Sequence, residues 1–99
     1  MPRLLTREEI DRQLEALPDW SVLEGGESIS ARYELTDFAA ALAFVNQVGA
    51  EAEDMNHHPD IDIRWNQVTL VLSTHSEGGL TQLDIELAHR IARRRAEEK

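Results

Sequence analysis

Apolar residues along this chain recur with a period that changes from helical to alternating and back, and each change predicts a new element. A run with helical spacing follows Thr6, which has a carboxylate three residues later as in a capping box, and the run ends at Pro18. Alternation over residues 29–35, after the Gly25-Gly26 turn, is typical of a half-buried hairpin. The first part of the chain is therefore predicted to hold one short helix and two strands.

The longest helical run is expected to begin at Thr36 or Asp37 as N-cap. Its apolar positions recur at steps of three and four and are Phe38, Ala41, Leu42, Val45 and Val48. The run is rich in alanine, and these small residues together with Gly49 would let a second helix approach closely. The stripe predicts core packing, with a contact between subunits as the alternative.

The last third of the chain repeats the strand and helix signals. Apolar residues alternate from Ile61 to Leu72 around Asn66-Gln67, which predicts a second hairpin. Thr81 and Asp84 have capping-box spacing, and the apolar face of the helix that follows is expected at Leu83, Leu87, Ala88 and Ile91. The order α-β-β-α-β-β-α predicts an α+β fold, a four-stranded antiparallel sheet with three helices packed on one face, in a single domain over residues 1–99.

Composition narrows the classes of partner. Ten basic against nineteen acidic residues give a net charge of -9, which argues against nucleic acid or an anionic membrane and favours a small molecule or a protein. The chain has no cysteine, hence neither disulfides nor thiolate metal sites. Its N-terminus becomes charged too early for a signal peptide, and no apolar run approaches the length of a membrane span. We expect a soluble cytoplasmic protein.

Three of the four histidines fall in two predicted loops. His57 and His58 lie between the long helix and the second hairpin, next to Glu53, and His75 follows that hairpin. Histidine donates or accepts a proton near neutral pH, so converging loops here would form a proton-transfer site. The alternatives are histidines that are merely solvated, a Glu53 that is a solvated residue in the last turn of its helix, and an Asp84 that only caps its helix.

A metal site fits this spacing poorly. The chain lacks the His-x-x-x-His step of common zinc motifs, and adjacent histidines cannot easily turn to one ion in regular structure. No serine stands in a nucleophile elbow, and Gly78-Gly79 lacks the lysine or spaced glycines of a phosphate loop. We therefore expect acid and base catalysis with no metal and no cofactor.

These residues resemble the signature of the pterin-4a-carbinolamine dehydratase family. The signature positions, separated by three, five, nine and eight residues, are Glu53, His57-His58-Pro59, Trp65, His75 and Asp84. Further resemblance covers nearly the whole chain, at Trp20, Asp37-Phe38, Val68 through His75, Gly79-Leu80-Thr81 and Asp84-Ile85. The fourth histidine, His89, is outside the signature.

The resemblance implies a substrate, a reaction and residue roles. The reaction is loss of water from a 4a-hydroxytetrahydropterin to give quinonoid dihydropterin, which is recycled after aromatic amino acid hydroxylation. The implied catalytic residues are His57, His58 and His75. The implied substrate-binding residues are Glu53, Asn56, His57, His58, Ser73, Thr74, His75 and Ser76, with Pro59 and Asp84 as structural support.

The resemblance also implies a homodimer or homotetramer. It leaves a different class of function open, because some members of the family act as dimerisation partners of a transcription factor. A pterin-binding or dimerisation module without catalysis, or a role in molybdopterin metabolism, is therefore the alternative.

Overall fold

Three α-helices and four strands follow one another in the predicted order within residues 2–97, the part of the chain that this computed structural model describes. The elements are α1 (Arg7–Leu14), β1 (Ser21–Val22), β2 (Ile29–Glu34), α2 (Phe38–Met55), β3 (Asp60–Arg64), β4 (Gln67–Leu72) and α3 (Gln82–Glu97), with a short 3-10 helix at His75–Glu77. The predicted α+β fold is confirmed. Met1, Glu98 and Lys99, which the predicted domain 1–99 includes, lie outside the described residues.

The four strands form one antiparallel sheet in the order β1-β2-β4-β3. On the two central strands, Ile29 pairs with Leu72, Ala31 with Leu70 and Tyr33 with Val68, and all six side chains are buried. They share one core with the buried residues of the three helices. The alternate positions of β2 are half-buried or exposed, so the helices cover one face of the sheet and leave the other open to solvent.

The core-facing stripe of the long helix agrees with the predicted stripe at Ala41 and Val48, with Val45 partly buried against the core, and differs at Phe38 and Leu42. Ala41, Phe44, Val48 and Ala52 are its buried residues, whereas the side chains of Phe38 and Leu42 are 44% and 43% exposed. The Phe44 ring meets Tyr33 edge to face, with ring centroids 5.3 Å apart. Both stripes have helical spacing, and the one that carries Phe44 faces the sheet.

Two smaller predictions also need correction. In α3, Leu87, Ala88 and Ile91 are fully buried as predicted, whereas Leu83 is only partly buried and Ile85 joins the core face. The second hairpin turns at Trp65 and Asn66 rather than at Asn66-Gln67, because Gln67 pairs with Arg64. The Asn66 side chain donates a hydrogen bond to the Leu35 carbonyl oxygen at 2.9 Å, which ties this turn to the end of β2.

Helices α2 and α3 are joined by a cluster of ion pairs. Arg90 donates to Asp54 at 2.7 Å and to Glu51 at 3.3 Å, and Arg94 donates to Glu51 at 2.7 Å. The hydrogen bond from Arg94 lowers the pKa of Glu51, and Arg90 lowers it further.

None of the helices that the structure describes is long and apolar enough to cross a membrane.

The ion pairs predict a pH-dependent contribution to stability. Because the pKa of Glu51 is lower in the folded chain, its stabilisation is complete above the usual carboxyl range and is lost as the pH falls through the folded pKa. We expect Glu51→Gln to lower the free energy of unfolding at pH 7 and the difference from wild type to shrink below about pH 4. Urea titrations at several pH values measure this. Glu24→Gln, in the exposed turn between β1 and β2, is the control. A pH-independent effect of Glu51→Gln would contradict the interpretation.

The buried stripe of α2 predicts a large cost of truncation. Phe44 is 1% exposed, so Phe44→Ala should lower the free energy of unfolding by about 3–5 kcal/mol through lost burial and a cavity against Tyr33. Leu23→Ala, at a side chain that is 41% exposed, should cost less than about 1 kcal/mol. Denaturant unfolding followed by circular dichroism compares the two. Equal losses of stability in the two variants would show that the core face of α2 is assigned wrongly.

Candidate active site

The sheet brings the two histidine loops to the same edge. Asp60, the first residue of β3, pairs with Val71 near the end of β4. In an antiparallel pair, the segment before one strand lies beside the segment after the other. Residues 57–59 therefore lie next to residues 73–76, as the sequence predicts.

The end of α2 sets the position of His57. Asn56 adopts the left-handed conformation, with φ 50°, and its N–H donates to the carbonyl oxygens of Ala52 and Glu53. Asparagine takes this conformation more readily than most residues, and here it ends the helix. The His57 N–H also donates to Ala52, at 3.0 Å, so the chain folds back against the last turn and His57 becomes buried.

The centre of the site is a buried carboxylate. Asp84 is 0% exposed, and its Oδ1 lies 2.6 Å from Nε2 of His57, which is itself 8% exposed. Its Oδ2 accepts hydrogen bonds from the Thr74 hydroxyl at 2.8 Å and from the Thr81 N–H at 3.0 Å. The hydroxyls of Thr74 and Thr81 are 2.8 Å apart. Asp84 thus connects the start of α3 to both loops.

The other two predicted catalytic histidines are exposed. His58 Nε2 lies 2.5 Å from Glu53 Oε2, and both side chains are more than half exposed. His75 begins the 3-10 helix directly after Thr74, so the Thr74 bond to Asp84 brings its loop to the carboxylate that holds His57. The structure therefore collects all three histidines in one loop cluster, with one of them fixed and two open to solvent.

The remaining predicted site residues differ in what their side chains do. The Ser73 hydroxyl donates to the Glu27 carbonyl oxygen at 2.8 Å, and the Thr74 hydroxyl is bonded within the carboxylate cluster. Asn56 and Ser76 are exposed beside the histidines, and Pro59 is half-buried. Within the described part of the chain, no group of three or more His, Asp or Glu side chains could hold a metal ion.

Sequence reasoning missed two contributors to this cluster. Thr81, fully buried, was predicted only as a helix cap, although its bonds to Thr74 and Asp84 complete the cluster. The N-terminal segment also supports the loop, since the Leu5 N–H donates to Leu80 at 2.9 Å. A Cβ on Gly79 would lie 3.1 Å from the Leu4 side chain, which shows how closely the N-terminal segment approaches this loop. No sequence pattern pointed to the N-terminal contact.

Comparison with known proteins places this arrangement in a family. Residues 3–94 match the family model described as Pterin 4 alpha carbinolamine dehydratase. A protein of Nocardia farcinica with the provisional name pterin-4-alpha-carbinolamine dehydratase is 51% identical over 88 residues, which are 89% of this chain and 90% of that one. A Chloroflexus aurantiacus protein with the same provisional name is 52% identical over 88 residues, covering 89% and 91%. The chain belongs to the pterin-4-alpha-carbinolamine dehydratase family.

Solved structures agree with the fold. A crystal structure of a protein from Brucella melitensis, described as a transcriptional coactivator/pterin dehydratase, has a TM-score of 0.88 and 36% identity over 92% of this chain and 97% of that chain. A pterin dehydratase-like protein described as a RuBisCO assembly factor of the alpha-carboxysome has a TM-score of 0.63, with 20% identity over 74% and 84%. The second similarity concerns the fold alone.

Proposed function

We propose that this protein removes water from a 4a-hydroxytetrahydropterin to give quinonoid dihydropterin, by histidine acid and base catalysis without metal or cofactor. The observation that carries the proposal is the single cluster that joins the His57 and His75 loops through Asp84 in a chain of this family. The family membership supplies the class of reaction, and the cluster supplies side chains suited to it.

The reaction needs two proton transfers. The N5 lone pair helps to break the C4a–O bond, but hydroxide is a poor leaving group, so an acid must give it a proton and release it as water. A base must take a proton from the pterin as the new double bond forms. Proton exchange then returns the acid and the base to their starting protonation states. Histidine can both donate and accept a proton near neutral pH.

Each histidine is suited to a different part of this task. His57, held by Asp84, and His75, exposed at the start of the 3-10 helix, are our candidates for the acid and the base, in either order. We propose that His58 and Glu53, which contact each other, orient the substrate and contribute to catalysis. Asn56, Ser73, Thr74 and Ser76 are proposed to line the pterin site, with Pro59 and Asp84 as support.

The biological setting is proposed from the family. Recycling of the pterin after aromatic amino acid hydroxylation, in the cytoplasm, is the setting that fits the proposed reaction. The proposed catalytic unit is a single domain. The second candidate is a module that keeps the pterin site without turnover, supported by the description of the Brucella melitensis protein as a transcriptional coactivator as well as a dehydratase. A folded protein without dehydratase activity would favour that candidate.

We also propose that the protein is a homodimer or homotetramer. The helix α2 leaves Phe38 and Leu42 exposed, and the strand β3 is an edge strand on which Ile61 is 40% exposed. Open strand edges and exposed apolar helix faces are surfaces that a second copy can cover. The alternative that the sequence left open for the alanine-rich helix, a subunit contact, is supported by the exposure of these two side chains.

Replacement of single histidines tests the reaction. His57→Ala and His75→Ala should each lower single-turnover dehydration by about 10²- to 10⁴-fold, the range for loss of an acid or base. Because His57 is buried against Asp84, His57→Gln, which keeps an amide donor, should be measured beside it. Circular dichroism checks folding, and the assay includes a chelator.

His89→Ala is the control, since His89 lies in α3 and outside the signature. Its rate should stay near that of wild type. The site assignment is wrong if replacement of His57, His75 and His89 lowers the dehydration rate equally, or if replacement of His57 and of His75 leaves the rate unchanged. Activity that disappears after exhaustive chelation and returns with zinc would refute the metal-free mechanism.

Light scattering tests the oligomer. We expect a dimer or tetramer mass at micromolar concentration, and Leu42→Glu should shift the protein toward monomer because a charge on α2 would be buried in the contact. Leu23→Glu places the same charge at a side chain of similar exposure in the first hairpin turn and should leave the mass unchanged. A monomer mass for the wild-type protein would exclude the proposed contact.

A further inference from the structure

The two ring nitrogens of His57 have different surroundings. Nε2 faces the buried Asp84 carboxylate at 2.6 Å, and the His57 side chain keeps 10% of its surface exposed. Nδ1 has no hydrogen-bond partner within residues 2–97, yet it is not among the atoms cut off from solvent. Nδ1 is therefore the ring nitrogen that keeps contact with solvent, whereas Nε2 is engaged by Asp84.

The partners of Asp84 determine which nitrogen holds the proton. Oδ2 accepts from the Thr81 N–H, a group that can only donate, and from the Thr74 hydroxyl. A carboxylate offers only acceptors, so Oδ1 also needs a donor, and Nε2 of His57 is the group in place. In a histidine, the hydrogen bond made by one nitrogen sets the state of the other.

We propose that Asp84 is a positioning residue that keeps a proton on Nε2 of His57 and so makes Nδ1 the nitrogen that exchanges a proton with the substrate. The proposal rests on the dehydration proposed above and goes beyond it by naming the reacting atom. In the neutral ring Nδ1 carries the lone pair and accepts a proton. In the charged ring Nδ1–H donates one, so the same geometry serves an acid or a base.

An amide at position 84 separates this role from helix capping. In Asp84→Asn the side-chain oxygen must stay on the Thr81 N–H, because that donor has no other way to bond. The amide NH₂ then faces Nε2, which can only accept, and the proton moves to Nδ1. The variant keeps the cap of α3 and reverses the ring tautomer, so a purely structural role of Asp84 predicts little change in turnover.

The experiment combines a spectroscopic readout with turnover. Two-bond ¹H–¹⁵N correlation spectra of histidine-labelled protein, taken where the ring is neutral, should show Nε2–H in wild type and Nδ1–H in Asp84→Asn. Turnover should fall by about 10²- to 10⁴-fold with a change in KM of only a few fold, as expected for an acid or base in the wrong tautomer. Asp37→Asn is the matched control, because Asp37 caps the distant N-terminus of α2 through the Ala40 N–H.

Each outcome decides the proposal. Nε2–H in Asp84→Asn, or Nδ1–H in wild type, would overturn the proposal that Asp84 keeps the proton on Nε2 of His57. A reversed tautomer with undiminished turnover would overturn the role of Nδ1 while leaving the dehydration intact. An inactive wild-type protein with Nε2–H would overturn the proposed function, and with it the proton transfer at Nδ1, but not the positioning of the ring. A loss of turnover in Asp37→Asn equal to that in Asp84→Asn would refute a specific effect on His57.

Discussion

The fully buried carboxylate of Asp84 is the constraint on which the site depends. A buried charge is costly unless it is paired and hydrogen-bonded, and each of its bonds comes from a different part of the chain. Thr81 opens α3, Thr74 follows β4, and His57 follows α2. The cost of burying Asp84 is therefore offset only when all three segments are in place, which couples the geometry of the site to the folding of its surroundings.

The sheet makes this convergence possible. β4 lies between β2 and β3, and its alternate residues Val68, Leu70 and Leu72 have no exposure to solvent. A strand packed in this way has one register available, because a shift by one residue would turn its apolar side chains to solvent. The loops at its end inherit that register, so core packing within the sheet determines where Thr74 and His75 lie.

Periodicity in the sequence was sufficient for the order of elements, since capping residues and the change from helical to alternating spacing depend on local chemistry. It could not choose between two overlapping apolar stripes on α2, because both have helical spacing and only contact with the sheet buries Phe44 rather than Phe38. The site was predicted by its histidines, but the contacts of Thr81 and of the N-terminal segment depend on tertiary structure. A local pattern carries no information about which distant group an acceptor will meet.

Helix capping and support of the site were the two explanations for Asp84 in the sequence, and the structure shows that one side chain makes the contacts of both. The Oδ2 atom bonds the Thr81 N–H at the start of α3, while Oδ1 remains for His57. The same division separates the histidines. Within residues 2–97, His57 is fixed by a buried partner, whereas the one partner of the His58 side chain is an exposed carboxylate, and such surface pairs contribute little stability. In the reaction that we propose, the preorganised His57 ring holds the proton-transfer atom steady while the substrate arranges the exposed groups around it.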